Sequence, residues 1–183
     1  MSTPKEHIDI IKQCLSGNQD AEYALYKLYS GALYNTCLRM LRHVPEAEDL
    51  LQETFVKIFR NLEKFDIESN FYTWANRIAI NGCINHQNKK GIDYTMDYEH
   101  EVAMKAADDD YSEDEIKYTV EMVNKGIMNL PNGYREIISL YLLEGYDHIE
   151  IGEILGISTS TSKSQYARAK KKLRQLLSAT AHG

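Results

Sequence analysis

Residues 148–155 and 160–177 read as two helical segments flanking the tripeptide Gly156-Ile157-Ser158. Gly152 stands where two such helices must approach and Gly156 where the turn needs a permissive backbone, while Ile151, Leu155 and Ile157 supply an apolar side. Five spacing-dependent requirements met together predict a helix-turn-helix. On its second helix Ser162, Tyr166, Ala169 and Leu173 are expected to face the core, which leaves Thr161, Ser164, Gln165, Arg168, Lys171 and Lys172 outward. The N-terminal part of such a helix meets base edges in a major groove and the basic C-terminal half meets phosphates. If about four charges touch phosphate, log affinity falls with log salt at a slope of roughly −3.6. The plainer alternative is a basic solvated side that only aids solubility.

The formal net charge of −6 argues against a nucleic-acid partner only if the acids are spread evenly, and they are not. Between Asp93 and Glu115 lie ten acids and one base, Lys105, which leaves +3 for the rest of the chain. Lys163, Arg168, Lys170, Lys171, Lys172 and Arg174 lie in a stretch free of acids. The acidity is a property of one segment, and that segment contains Asp108-Asp109-Asp110 and few large apolar residues.

Sparse glycine and proline, long helical periodicity and no alternating β-branched run make the expected class all-α. Two helical domains, 1–92 and 115–183, are expected, joined by a flexible acidic linker, 93–114. The 21 residues from Tyr94 to Asp114 reach roughly 70 Å extended and span about 25 Å as a relaxed coil. No apolar run approaches a membrane span and the N-terminus lacks the pattern of a signal peptide, so a cytoplasmic protein without membrane insertion is expected. Cys14, Cys37 and Cys83 lie far apart in apolar helical patterns and read as reduced packing residues. The six histidines show no metal spacing and read as ordinary polar residues. With no glycine-rich phosphate loop and no nucleophile beside a partner, no enzyme, metal site, cofactor or small-molecule substrate is expected.

In the first domain a short helix over 6–15 ends at Gly17, Asn18 caps a long helix reaching about His43, and Pro45 starts a third. That third helix gathers Leu51, Phe55, Ile58 and Leu62 on one side and Asp49, Gln52, Glu53 and Val56 on the other. Its acidic face suits a basic protein partner, and it suits equally well plain solvation near a helix start, where acids are favoured. After the loop 65–69, a fourth helix over 70–88 sets Arg77, Asn81, Asn85 and Asn88 on one stripe. Four long side chains with amide or guanidinium tips are unusual for a merely solvated face. Trp74, the one tryptophan, taken alone reads better as core packing than as a base-stacking platform.

These segments together carry a resemblance. Ala47-Glu48-Asp49-Leu50-Leu51-Gln52-Glu53-Thr54-Phe55-Val56-Lys57, then Phe71-Tyr72-Thr73-Trp74 and Ile78-Ala79-Ile80-Asn81, resemble region two of bacterial sigma factors of the extracytoplasmic-function (ECF) group. Leu130-Pro131, Arg135-Glu136-Ile137-Ile138, the run from Ile149 to Ser158 and Lys163-Ser164 resemble region four.

The resemblance implies a subunit that binds core RNA polymerase, directs it to particular promoter DNA, helps open the duplex and is controlled by an anti-sigma factor. It implies that Asp49, Gln52 and Glu53 dock on the polymerase. Phe65, Asn70, Trp74, Arg77, Asn81 and Asn85 would read the minus-ten element, where an unstacked base needs a small pocket and amide edges rather than catalysis. Ser160, Thr161, Lys163, Ser164, Gln165, Arg168, Lys171 and Lys172 would read the minus-thirty-five element. The rival reading is a free-standing helix-turn-helix regulator, and a third is an interaction adaptor built on the acidic helix.

Several positions depart from the group's usual pattern. Ser160-Thr161-Ser162-Lys163-Ser164-Gln165-Tyr166 stands where Gly-Thr-Val-Lys-Ser-Arg-Leu is usual, so Ser162 replaces an apolar core residue, a change costing about 1–3 kcal/mol unless its hydroxyl finds a partner. Gln165 in place of arginine points to an adenine-type contact instead of a guanine-type one. Asn85 and Asn88 stand where Asp and Arg are usual, which bears on minus-ten strength.

Overall fold

The computed structural model describes residues 3–90 and 119–181, with side chains to residue 179. All regular elements among them are helical, and the chain divides into two compact units, Met1–Gly91 and Ile92–Gly183. The acidic linker expected over 93–114 lies outside the described residues.

The first unit holds α1 (Lys5–Leu15), α2 (Gln19–Leu41), α3 (Val44–Asn61), a 3-10 turn (Leu62–Lys64) and α4 (Phe71–Lys89). Its helix starts follow local chemistry. Asn18 accepts hydrogen bonds from the amides of Asp20 (2.9 Å) and Ala21 (3.2 Å), Pro45 lies in the first turn of α3, and Asn70 accepts from the amide of Thr73 at 2.9 Å. Gly17, at φ +83, supplies the left-handed turn after α1. Helices α2, α3 and α4 pack together, burying Leu25, Leu33, Met40, Leu50, Phe55, Ile58, Phe71 and Ala79. Cys14, Cys37 and Cys83 are buried in this unit and form no disulfide with one another.

The second unit holds α5 (Val120–Met128), α6 (Asn132–Ile138), a π-helical turn (Ser139–Leu143), α7 (His148–Leu155) and α8 (Thr159–Ala181). Helix α5 starts after Thr119, which is extended and whose hydroxyl accepts from the amide of Met122 at 3.2 Å. Near the other end Leu130 precedes Pro131, a position that disfavours helix. Helix α6 runs directly into the π turn, where the Glu144 amide reaches the Ser139 carbonyl at 3.0 Å. Long helix α8 is the spine, packing on α5, α6 and α7. A Cβ on Gly126 of α5 would lie 2.8 Å from Leu173, which fixes how closely α5 meets the spine.

Candidate promoter and polymerase surfaces

On α3 the side that packs carries Leu51, Phe55 and Ile58, all buried, while Asp49, Gln52 and Glu53 are exposed together with Val56. Glu53 pairs loosely with Lys57 at 3.9 Å; Asp49 and Gln52 make no hydrogen bond or ion pair among the described residues. An acidic face with an apolar residue at its edge, unused inside its own unit, is available to a partner.

Helix α4 runs alongside. Arg77, Asn81, Asn85 and Asn88 are exposed, Asn70 and Trp74 are half-buried, and the cap bond of Asn70 uses its side-chain oxygen. Phe65 departs from the expectation of a DNA-contacting loop residue. It is 8 % exposed, with its ring 5.2 Å from Phe71 and 5.4 Å from Trp74. An aromatic ring flanked by two others gains more from that contact than from solvent, so Phe65 supports the indole from beneath. Trp74 thus has one side against Phe65 and Phe71 and part of its surface open.

Glu46, on the first turn of α3, ties α3 to the end of α4. Its carboxylate contacts His86 (2.9 Å), His43 (3.3 Å) and the Lys90 ammonium. The Lys90 and His86 bonds hold its carboxyl below the usual range despite partial burial.

In the second unit α7 and α8 meet at the expected turn. Gly156 is left-handed at φ +68 and its amide bonds to the Gly152 carbonyl, while a Cβ on Gly152 would lie 2.8 Å from the Ile157 carbonyl oxygen. Asp147 caps α7 in a reciprocal pair with Glu150. At the start of α8 the Ser158 hydroxyl accepts from the Thr161 amide (3.0 Å) and lies 2.8 Å from the hydroxyls of Ser160 and Thr161.

Ser160, Lys163, Ser164 and Lys172 are exposed, and Thr161, Arg168 and Lys171 are partly so. Gln165 is not outward: it is 3 % exposed, and its side-chain oxygen is buried without a hydrogen-bond partner among the described residues. The reason is helical period. Position 165 lies three residues after Ser162 and four before Ala169, both fully buried, so all three share one stripe. The adenine contact expected of Gln165 does not fit that placement.

Sequence reasoning treated His148 as an ordinary polar residue, yet its Nδ1 lies 2.9 Å from the buried Ser162 hydroxyl. A serine at a core position was the available signal, because a buried hydroxyl must find a partner.

Residues 25–91 match the family model Sigma-70 region 2, and residues 121–173 match Sigma-70, region 4. The chain is 37% identical, over 91% of its length and 94% of the relative's, to the ECF RNA polymerase sigma factor SigW of Bacillus subtilis (strain 168). It is 30% identical to SigM of the same organism, over 83% of this chain and 92% of that one. This chain belongs to the ECF RNA polymerase sigma factors. As a sigma factor it serves transcription initiation at specific promoters, and two regions in family order in one chain disfavour the free-standing regulator. Its fold is also that of CnrH in a complex with the cytosolic domain of CnrY, at 24% identity and a TM-score of 0.54, covering 94% of this sigma factor and 97% of CnrH. The sigma factor RpoE, solved with the anti-sigma factor NepR from Bartonella quintana, gives the same TM-score and identity over 84% and 94% of the two chains.

Proposed function

We propose that this sigma factor docks on core RNA polymerase through Asp49, Gln52 and Glu53 and reads its promoter through two separate surfaces. The observation that carries the docking is the exposed acidic face of α3, whose Asp49 and Gln52 are uncommitted among the described residues. Trp74, Arg77, Asn81 and Asn85, with Asn70 at the head of α4, take the minus-ten strand: a partly open indole offers a stacking platform and the amides beside it discriminate base edges. Phe65 acts there by supporting Trp74. Ser160, Thr161, Lys163 and Ser164 approach the minus-thirty-five bases, and Arg168, Lys171 and Lys172 approach its phosphates.

An anti-sigma factor is proposed as the regulator, because the sigma factor RpoE, of similar fold, was solved in complex with the anti-sigma factor NepR. The acidic helix is the proposed surface for it to cover. No helix of the described residues is long and apolar enough to cross a membrane, which accords with a proposed cytoplasmic site of action beside polymerase.

The experiment is a pull-down of purified protein with bacterial core RNA polymerase, comparing wild type with Asp49→Lys plus Glu53→Lys. Tight binding by wild type and its loss in the variant is the expected result. A wild type that ignores polymerase, or a variant that binds as well, overturns the docking assignment.

A further inference from the structure

Three elements converge on His148. It is the first residue of α7, whose start is held by Asp147: the carboxylate accepts from the amides of Ile149 (2.7 Å) and Glu150 (2.9 Å), and the Glu150 side chain accepts from the Asp147 amide at 3.0 Å. The imidazole stacks on Tyr141 of the π turn, centroids 4.6 Å apart at 22°, and meets the Tyr166 ring of α8 edge-on at 5.5 Å. Tyr141 and Tyr166 are themselves 4.4 Å apart, and Lys170 lies over Tyr166 at 4.8 Å. The ring has little freedom to turn.

From that frame Nδ1 reaches the Ser162 hydroxyl, and among the described residues this is the only side-chain hydrogen bond of Ser162. Ser162 is fully buried. An apolar residue there would hold α8 against α7 through non-directional contact. A hydrogen bond at 2.9 Å is directional, and leaving the buried hydroxyl unmade is costly. The rotation of α8 that satisfies it is the rotation that turns Ser160, Lys163 and Ser164 to the outside, because successive residues step by about 100° around the axis.

We propose that His148 is a positioning residue for promoter recognition, fixing the rotation and seating of the DNA-reading helix α8 through the Ser162 hydroxyl. The inference rests on α8 being the minus-thirty-five reader. Burial and the neighbouring Lys163 hold the imidazole below its ordinary pKa, with Asp147 opposing, so a neutral ring makes this contact at neutral pH. His148 touches no base in this scheme; it acts through α8.

The test uses the holoenzyme assembled from core polymerase and full-length protein. Duplexes preferred by the wild-type holoenzyme are selected from a random pool, and each variant is scored by competition between the selected minus-thirty-five duplex and a scrambled one. His148→Phe keeps the aromatic stack and orphans the hydroxyl, so the preference should fall about tenfold, the equivalent of one missing hydrogen bond. The double variant His148→Phe with Ser162→Ala removes both partners and should regain most of that loss. His148→Gln keeps a hydrogen-bonding amide and should retain more preference than His148→Phe. Salt dependence should be unchanged in all three, since no phosphate contact is lost. A His148→Phe holoenzyme that discriminates as wild type does, or a double variant no better than the single one, overturns the proposal. If His148→Phe fails to fold, His148→Gln and the double variant decide it: a Gln variant that loses preference while the double variant keeps none is the overturning result. A wild-type holoenzyme that prefers no minus-thirty-five duplex overturns the α8 reading itself, a failure distinct from that of His148.

Discussion

Glu46 on the first turn of α3 accepts a 2.9 Å hydrogen bond from His86, forty positions away near the end of α4. With Lys90 it joins the proposed polymerase helix to the proposed minus-ten helix. The carboxyl is held below its ordinary value of 4.5 by Lys90 and then His86. A depressed carboxylate contributes stability that is fully present above its unfolded value and lost as pH falls through the lower folded one. The first unit should therefore weaken in acid below about pH 4.5, and Glu46→Gln should cost about 1 kcal/mol or less near neutrality while flattening that acid response. Trp74, the single tryptophan, packs in this unit and reports it selectively, so urea titrations followed by its emission measure both effects. Equal acid sensitivity in Glu46→Gln would remove the clasp as the cause.

In the second unit the titrating group works in the opposite sense of charge. His148 is held below its ordinary value of 6.5, first by burial and then by Lys163. A folded state that binds the proton less well than the unfolded chain loses stability as pH drops below about 6.5, until the lower folded value is reached. The ring protons of His148 should titrate with a midpoint below 6.5 by NMR; a midpoint at or above that value would contradict the reading of its environment.

Two glycines separate close approach from mere permissiveness. A Cβ on Gly152 would sit 2.8 Å from the backbone oxygen of Ile157, an atom that cannot swing aside, so Gly152→Ala should destabilise the second unit by about 1–3 kcal/mol. Gly31, inside α2, has nothing within 4 Å of such an atom and an ordinary helical backbone. Gly31→Ala should stabilise the first unit by about 0.5–1 kcal/mol through the lower entropy of the unfolded chain. Thermal melts of both variants, read by Trp74 for α2 and by circular dichroism for the turn, check the contrast.

Much of this architecture is legible in the sequence because its signals are local. Asn18 and Gly156 each act within a few residues, and the exposed face of α3 follows from period alone. The π turn at 139–143 was not legible, because it depends on one backbone bond replacing another at similar cost. Phe65 and Gln165 mark a different limit. Both were read as contacts through their place in a motif, yet Phe65 finds Phe71 and Trp74, and Gln165 falls on the inner stripe with Ser162 and Ala169. His148 escaped notice because its partner lies fourteen residues away on the next helix, although Ser162 at a core position already asked for one.

Gln165 yields the sharpest test of what α8 reads. Its side-chain oxygen is buried without a hydrogen-bond partner among the described residues, so replacing it with methionine, similar in length and apolar, removes an unsatisfied acceptor. Gln165→Met should raise the stability of the second unit by about 1 kcal/mol and leave the base preference at the minus-thirty-five element unchanged. Arg168→Ala and Lys172→Ala should instead weaken binding to all duplexes alike, each making the salt slope shallower by about 0.9, because a lost phosphate contact carries no sequence information. Competition assays over single-base variants of the selected duplex distinguish these outcomes. If Gln165→Met changes preference at one base position and no other, the glutamine leaves the inner stripe to read DNA, and α8 must rotate or unpack on binding.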